Sequence, residues 1–101
     1  MSRALLIIPE GIVIQHTIYS VDWDDEMDDY GRVNYGQRGI ILNENLHTEE
    51  AKRTFMHEIL HIISEQAGHK LSEGELDALS HGLIDVIRGN DWFPDFFKEI
   101  V

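Results

Sequence analysis

The centre of the sequence reads Phe55-Met56-His57-Glu58-Ile59-Leu60-His61-Ile62-Ile63, which is the pattern His-Glu-x-x-His inside an apolar run. A helix turns about 100° per residue, so the two histidines project from the same side. Projection of residues 50–66 on a helix gathers the polar side chains into one stripe and leaves apolar side chains around the rest. The stripe holds Glu50, Thr54, His57, Glu58, His61, Ser64 and Glu65. The sequence therefore predicts a mostly buried helix whose polar stripe faces a cleft.

Two imidazoles at this spacing are suited to zinc, and a catalytic zinc site uses three protein ligands and keeps one position open for water. His57 and His61 are predicted to supply two of these ligands. Glu58 is displaced by about 100° from His57, so we expect it beside the metal, where it can take a proton from the bound water. The alternative is an ordinary amphipathic helix whose polar face binds no metal.

The third ligand is sought in the segment that follows the central helix, where the candidates are Glu73, Glu75, Asp77, His69 and His81. His69 falls in an expected loop, and His81 lies two turns into the next expected helix. Glu75 has a competing role as the partner of Ser72 in a helix capping box. Glu73 is free of such a role and lies at the edge of an apolar stripe. We therefore favour Glu73 and keep Glu75 as the second choice.

Composition limits the classes of protein that this chain can belong to. Its 101 residues are predicted to form a single domain, residues 1–101, and 43% hydrophobic with 27% charged residues is ordinary for a globular protein. A formal charge of −11 argues against binding to nucleic acid or to an anionic membrane surface. The absence of cysteine excludes disulfides and thiolate ligation of zinc.

The location and the partners of the protein are expected from the same features. No apolar run approaches the roughly 20 residues that span a bilayer. Residues 4–8 are apolar, but they are too few for the core of a signal peptide, so we expect a cytoplasmic protein. The expected partner is a peptide or protein substrate, and the oligomeric state is left open.

The N-terminal part of the chain predicts β structure. Strands are expected at Ala4–Ile8 and Ile12–Val21, with a turn at Pro9-Glu10-Gly11 between them, and a short strand is expected at Ile40–Leu42. A hairpin of the first two is the simplest arrangement. The acidic segment at residues 22–29 fails the spacing of an EF-hand calcium loop, and we expect a solvated acidic loop in preference to a weak cation site.

Two helices are expected after these strands. The first runs from an N-cap at Thr48 to Gly68, and the second begins with the capping box of Ser72 and Glu75 and ends before Gly89-Asn90. The short connection predicts antiparallel packing. The apolar stripe expected on the second helix consists of Leu76, Leu79, Leu83, Val86 and Ile87. The tail at residues 91–101 holds Trp92, Phe93, Phe96 and Phe97, which are expected to close the core, with partner binding as the alternative.

A family resemblance rests on two motifs between Ile40 and Asn90, His57-Glu58-x-x-His61 and Glu73-x-x-Leu76-Asp77-x-Leu79-Ser80. Together they resemble the gluzincin zinc metallopeptidases of the ImmA/IrrE type, and especially their minimal relatives encoded by phages and mobile elements. The resemblance implies zinc held by His57, His61 and Glu73, with Glu58 as the general base. It also implies an α+β fold in which a small antiparallel sheet packs on the two helices and its edge strand can align an extended peptide.

The expected function is that of a zinc-dependent peptidase. Candidates for the group that stabilises the tetrahedral intermediate are Tyr30, Tyr35 and His81, and the sequence does not choose among them. A second hypothesis is a zinc-binding regulatory or interaction protein without turnover, whose fourth coordination position is filled by His81 or by a neighbouring chain. A third is a structural domain that binds no metal.

Overall fold

A four-stranded sheet precedes the helices in this computed structural model, which describes residues 8–98. The strands are β1 (Gly11–Ile14), β2 (Thr17–Asp24), β3 (Gly31–Asn34) and β4 (Gly39–Asn43). The helices are α1 (Thr48–Ala67), α2 (Glu73–Gly89) and α3 (Phe93–Lys98). The predicted α+β class is confirmed. Residues 4–7 of the first expected strand lie outside the described residues, and Ile8 is not in a strand.

The sheet is mixed, so the expectation of an antiparallel sheet was wrong in this respect. The strand order is β1-β2-β4-β3, with β2 and β4 parallel and the other two pairs antiparallel. After β2, the chain crosses to the outer edge of the sheet and leaves the position next to β2 empty. Strand β3 returns along that edge, and β4 then fills the gap beside β2. The order leaves β3 as an edge strand with one neighbour.

The N-terminal hairpin lies elsewhere than expected. The expected strand Ile12–Val21 is broken at Gln15 and His16, which have φ values of 48° and 71°. Two consecutive positive φ values are the signature of a type I′ turn, whose twist matches that of the strands it joins. The pair Ile14 and Thr17 closes this two-residue loop. The hairpin is therefore β1 with β2.

The core lies between the sheet and α1. Strand β4 and helix α1 each contribute two side chains with no exposed surface. These are Ile40 and Leu42 from β4, and Ala51 and Ile62 from α1. At the edge of the sheet, Gly31 allows the closest approach of strand and helix. A Cβ atom there would lie 2.7 Å from Cγ2 of Thr54. This close contact holds β3 against the face of α1 that carries the two histidines.

The two long helices are antiparallel, as predicted. Arg88 near the end of α2 pairs with Glu49 at the start of α1, whereas Glu73 at the start of α2 contacts His57 and His61. Helix α1 ends as expected at Gly68, which has a φ of 72°. Its N-cap is His47, one residue before the expected Thr48, because Glu50 accepts a hydrogen bond from the backbone N–H of His47.

The apolar stripe expected on α2 does not coincide with its buried face. The buried residues are Leu76, Ser80 and Ile84, which are spaced by four. Leu79 and Val86 are 46% and 40% exposed. Ser80 can lie in this interface because its hydroxyl donates a hydrogen bond to the carbonyl of Leu76 in its own helix. Leu76 and Ile84 are buried on either side of this serine, whereas Leu79 and Val86 of the expected stripe face outward.

The aromatic tail does not close the core, contrary to expectation. Trp92, Phe96 and Phe97 are 59%, 56% and 50% exposed, and α3 has no buried residue. The rings pack against one another with centroids 4.7–6.0 Å apart. Because the sheet and the two long helices already fill the core, this short helix lies at its margin. Among residues 8–98, no helix has the length and apolar character needed to cross a membrane.

Candidate metal centre

A cleft of about 620 Å³ separates β3 from the facing sides of α1 and α2. Five residues of the polar stripe of α1 line this cleft, which confirms the prediction for Glu50, Thr54, His57, Glu58 and His61. Ser64 and Glu65 do not line it. Strand β3 contributes Gly31, Arg32 and Val33 to the opposite wall. The start of α2 closes one side with Glu73 and Asp77.

The carboxylate of Glu73 bridges the two histidines of α1. One oxygen lies 2.8 Å from Nε2 of His57, and the other lies 2.9 Å from Nε2 of His61. The imidazole centroids are 5.4 Å apart. The structure thus brings together the three residues predicted as metal ligands, although it does not test that role. The hydrogen bond from His61, with a further one from His57, lowers the pKa of Glu73, which favours the ionised form that a cation requires.

Asp77 lies one helical turn after Glu73 and reaches the other nitrogen of His57. Its Oδ1 is 2.7 Å from Nδ1 of His57. When Nδ1 of His57 carries the proton, it donates this hydrogen bond to the carboxylate. A histidine held in this way directs Nε2 toward a metal, and carboxylate partners of this kind are general among histidine ligands. Asp77 was a candidate ligand on sequence grounds, and in the structure it makes this orienting contact with His57.

The contacts of Glu73 can be compared with the spacing of ligands around zinc, although the group at ligand spacing in residues 8–98 is His57, Glu58 and His61 and does not include Glu73. Ligand atoms at about 2.0–2.1 Å from a tetrahedral zinc are roughly 3.3 Å apart. The two contacts of Glu73 are 2.8 and 2.9 Å, so its carboxylate has to withdraw by roughly half an ångström. This side chain is 71% exposed and free to move. His57, His61 and Glu73 would hold a cation here in place of the protons of these two hydrogen bonds.

Glu58 is buried beside the two histidines, with 4% of its surface exposed. Its carboxylate and one nitrogen of each histidine lie within 4.8 Å of one another. Burial raises the pKa of Glu58, and the nearby His57 and His61 offset part of this effect. A carboxylate with a raised pKa accepts a proton more readily near neutral pH, which suits a general base.

The connection between the helices fixes where Glu73 lies. The hydroxyl of Ser64 donates to the carbonyl of His69 and accepts a hydrogen bond from the backbone N–H of Leu71. This buried serine ties the loop back to α1. The predicted capping box of Ser72 and Glu75 is confirmed and starts α2 immediately afterwards. Glu73 therefore falls in the first turn of α2, within reach of α1.

The remaining third-ligand candidates, Glu75, His69 and His81, form no side-chain hydrogen bond with either histidine within residues 8–98. Glu75 is committed to the capping box, and hydrogen bonds from Ser72 lower its pKa. His69 lies in the connecting loop, where its carbonyl accepts from Ser64. His81 lines the cleft from the exposed side of α2. Within the described part of the chain, Glu73 is the candidate that reaches both imidazoles.

Both candidate tyrosines line the same cleft. Tyr30 precedes β3, and Tyr35 follows it in the turn to β4. Burial, together with the negative charges of Glu65 and Glu58, raises the pKa of Tyr35. A tyrosine hydroxyl is a hydrogen-bond donor at neutral pH, so both residues offer a donor at the cleft.

Of the acidic segment at residues 22–29, residues 22–24 lie in β2, so the expectation of a loop was wrong for these three residues. Residues 25–29 form a loop braced by asparagines. Asn43 donates to the carbonyls of Met27 and Asp29, and Asn45 donates to that of Asp25. The carboxylates of this segment do not gather at the ligand spacing of a metal site. Between Ile8 and Lys98, only His57, Glu58 and His61 form a group of that kind.

Three comparisons with known proteins complete the description of the site. No protein-family model, curated protein or solved structure matches this chain.

Proposed function

We propose that the protein is a zinc-dependent peptidase of the gluzincin type. The observation that carries this proposal is the position of Glu73, whose single carboxylate contacts Nε2 of both histidines on the neighbouring helix. Buried Glu58 adds a base beside the same point. The resemblance to the ImmA/IrrE type and the cytoplasmic location belong to this proposal and rest on the sequence.

The chemistry follows from the roles that these residues can take. A zinc ion bound by His57, His61 and Glu73 would supply Lewis acidity and a water of lowered pKa. Glu58 takes the proton from the attacking water and passes it to the leaving amine. Asp77 keeps the ring of His57 in the orientation that presents Nε2.

The sheet offers a means of aligning the substrate. Strand β3 is an edge strand, and its residues Gly31 to Val33 line the cleft opposite the histidines. An edge strand presents unpaired backbone groups, so an extended peptide can bind beside it as an added strand. Such a peptide would lie between β3 and α1, with its backbone close to the proposed metal.

The test is the variant Glu58→Gln, with Glu65→Gln as a matched control from the exposed side of the same helix. We expect Glu58→Gln to retain zinc and to hydrolyse a casein or peptide-library substrate about 10²–10⁴-fold more slowly than the parent. Glu65→Gln should keep both properties. A Glu58→Gln protein that hydrolyses the substrate at the parental rate would exclude this mechanism.

The second candidate function is a zinc-binding regulatory protein without turnover, which the presence of His81 in the cleft favours. In that case the imidazole of His81 would occupy the fourth coordination position. The absorption spectrum of the cobalt-substituted protein separates the two proposals. A spectrum altered by His81→Ala supports the regulatory protein, whereas an unchanged spectrum and a change on adding hydroxamate support the peptidase.

A further inference from the structure

Arg53 lies on the wall of the metal cleft, four residues before His57 on α1. One helical turn separates the two, so their side chains lie on the same side of the helix. The side chain of Arg53 is exposed. The adjacent cation, Lys52, points elsewhere and lines an apolar groove beside Phe55 and Ile84.

The acidic neighbours of Arg53 are engaged by other groups. Glu49 pairs with Arg88, and the hydrogen bond from Arg88 is the main cause of its lowered pKa, with smaller contributions from Lys52 and Arg53. Glu50 accepts the capping hydrogen bond from the backbone of His47. Arg53 itself forms no ion pair or hydrogen bond with any residue between 8 and 98.

The second arginine at the cleft, Arg32, has an acidic neighbour beyond hydrogen-bonding distance. The guanidinium of Arg32 lies 3.8 Å from the carboxylate of Asp24, two strands away in the sheet. Both arginines thus keep N–H donors for a ligand, but Arg53 lies on the helix of His57 and forms no ion pair with any residue between 8 and 98. Its fork of N–H groups matches a carboxylate, which it can bind through two parallel hydrogen bonds.

The distance along the helix sets where such a carboxylate would lie. Four helical residues rise by about 6 Å, and an extended peptide advances by about 3.3 Å per residue. The offset between His57 and Arg53 therefore corresponds to about two residues of a bound strand.

We propose that Arg53 binds an acidic side chain of the substrate about two residues from the scissile bond, toward the N-terminal end of α1. This inference rests on the proposed peptidase function and adds a substrate class to it. The protein carries a net charge of −11, which repels an acidic peptide in general. Arg53 therefore favours an acidic side chain at one position, while the net negative charge of the protein disfavours acidic peptides in general. The specificity for Glu over Gln is the difference between these two effects.

The test measures binding apart from turnover. Fluorescein-labelled alanine-based octapeptides, each with one Glu that is moved along the chain, are titrated into the zinc-loaded Glu58→Gln protein and compared with their Gln counterparts. We expect the best Glu peptide to bind about tenfold more tightly than its Gln counterpart, as one charge-assisted hydrogen-bonded pair allows. Arg53→Gln should remove this difference, and Arg53→Lys should keep part of it. Lys52→Gln, the matched control, should leave it unchanged.

Three results would overturn the assignment of Arg53: the Glu and Gln peptides bind equally, the preference for Glu survives Arg53→Gln, or neither peptide binds. Hydrolysis of the same peptides by the parent protein is measured separately. A Glu peptide that binds through Arg53 but is not cleaved contradicts the peptidase and leaves the assignment of Arg53 intact. Cleavage of both peptides at equal rates contradicts the assignment and leaves the peptidase intact.

Discussion

Replacing Asp77 by Asn should weaken the binding of zinc without removing a ligand. Asn keeps the shape of Asp77 but places a neutral amide 2.7 Å from Nδ1 of His57. Loss of such a partner costs about 10–100-fold in metal affinity, or about 1.4–2.7 kcal/mol. The side chain of Asp77 is 68% exposed, so solvent screens part of its charge. We therefore expect the lower end of this range, about tenfold.

The assay is a competition titration in which a chelating dye and the protein share a limited amount of zinc at neutral pH. Asp85→Asn, an exposed position on the same helix, is the matched control for the change in net charge. It should bind zinc as the parent does. If Asp77→Asn binds zinc as tightly as Asp85→Asn does, Asp77 has no orienting role and His57 is not presented to a metal in the way described.

Three further predictions concern stability. Gly31→Ala should lower the free energy of unfolding in urea by about 1–3 kcal/mol, because the new Cβ would lie 2.7 Å from Cγ2 of Thr54. Adding Thr54→Ser should restore part of this stability. An unchanged unfolding midpoint for Gly31→Ala would contradict the packing described. Ser64→Ala should cost about 1–3 kcal/mol, because the carbonyl of His69 loses its donor; a loss below about 0.5 kcal/mol would argue against that role. In metal-free protein, burial raises the pKa of Glu58 above its unfolded value, so the stability of the parent should fall as pH rises from the unfolded pKa through the folded one. Glu58→Gln does not titrate, and its stability relative to the parent should rise over that range; the opposite trend in urea unfolding would refute this.

Local signals in the sequence predicted the helical half of the fold well. Gly68 ends α1 because a left-handed cap favours glycine, and Ser72 with Glu75 starts α2 through contacts three residues apart. These signals also located Glu73 in the first turn of α2. The carboxylate of Glu73 contacts both histidines, which agrees with the preference for Glu73 over Glu75 that was based on the sequence. Its role as a zinc ligand stays a prediction.

The sheet could not be predicted in the same way, because its order depends on contacts between distant residues. Gln15 and His16 occupy a type I′ turn that usually selects Asn and Gly, so neither residue indicated a break in the strand. Strand β3 has a single β-branched residue, Val33, and becomes a strand only by pairing with β4. The buried face of α2 was misjudged because Ser80, not a larger apolar residue, lies in the interface.

The most direct test of the central claim is the metal content of protein purified without added metal. Mass spectrometry of the metals should find one zinc per chain in the parent, little in His61→Ala and Glu73→Ala, and the parental amount in Glu75→Ala, whose side chain serves only the capping box. A parent that holds no zinc and takes up none when it is added would contradict the metal centre. A Glu73→Ala protein that holds zinc as the parent does would contradict the ligand that joins the two helices.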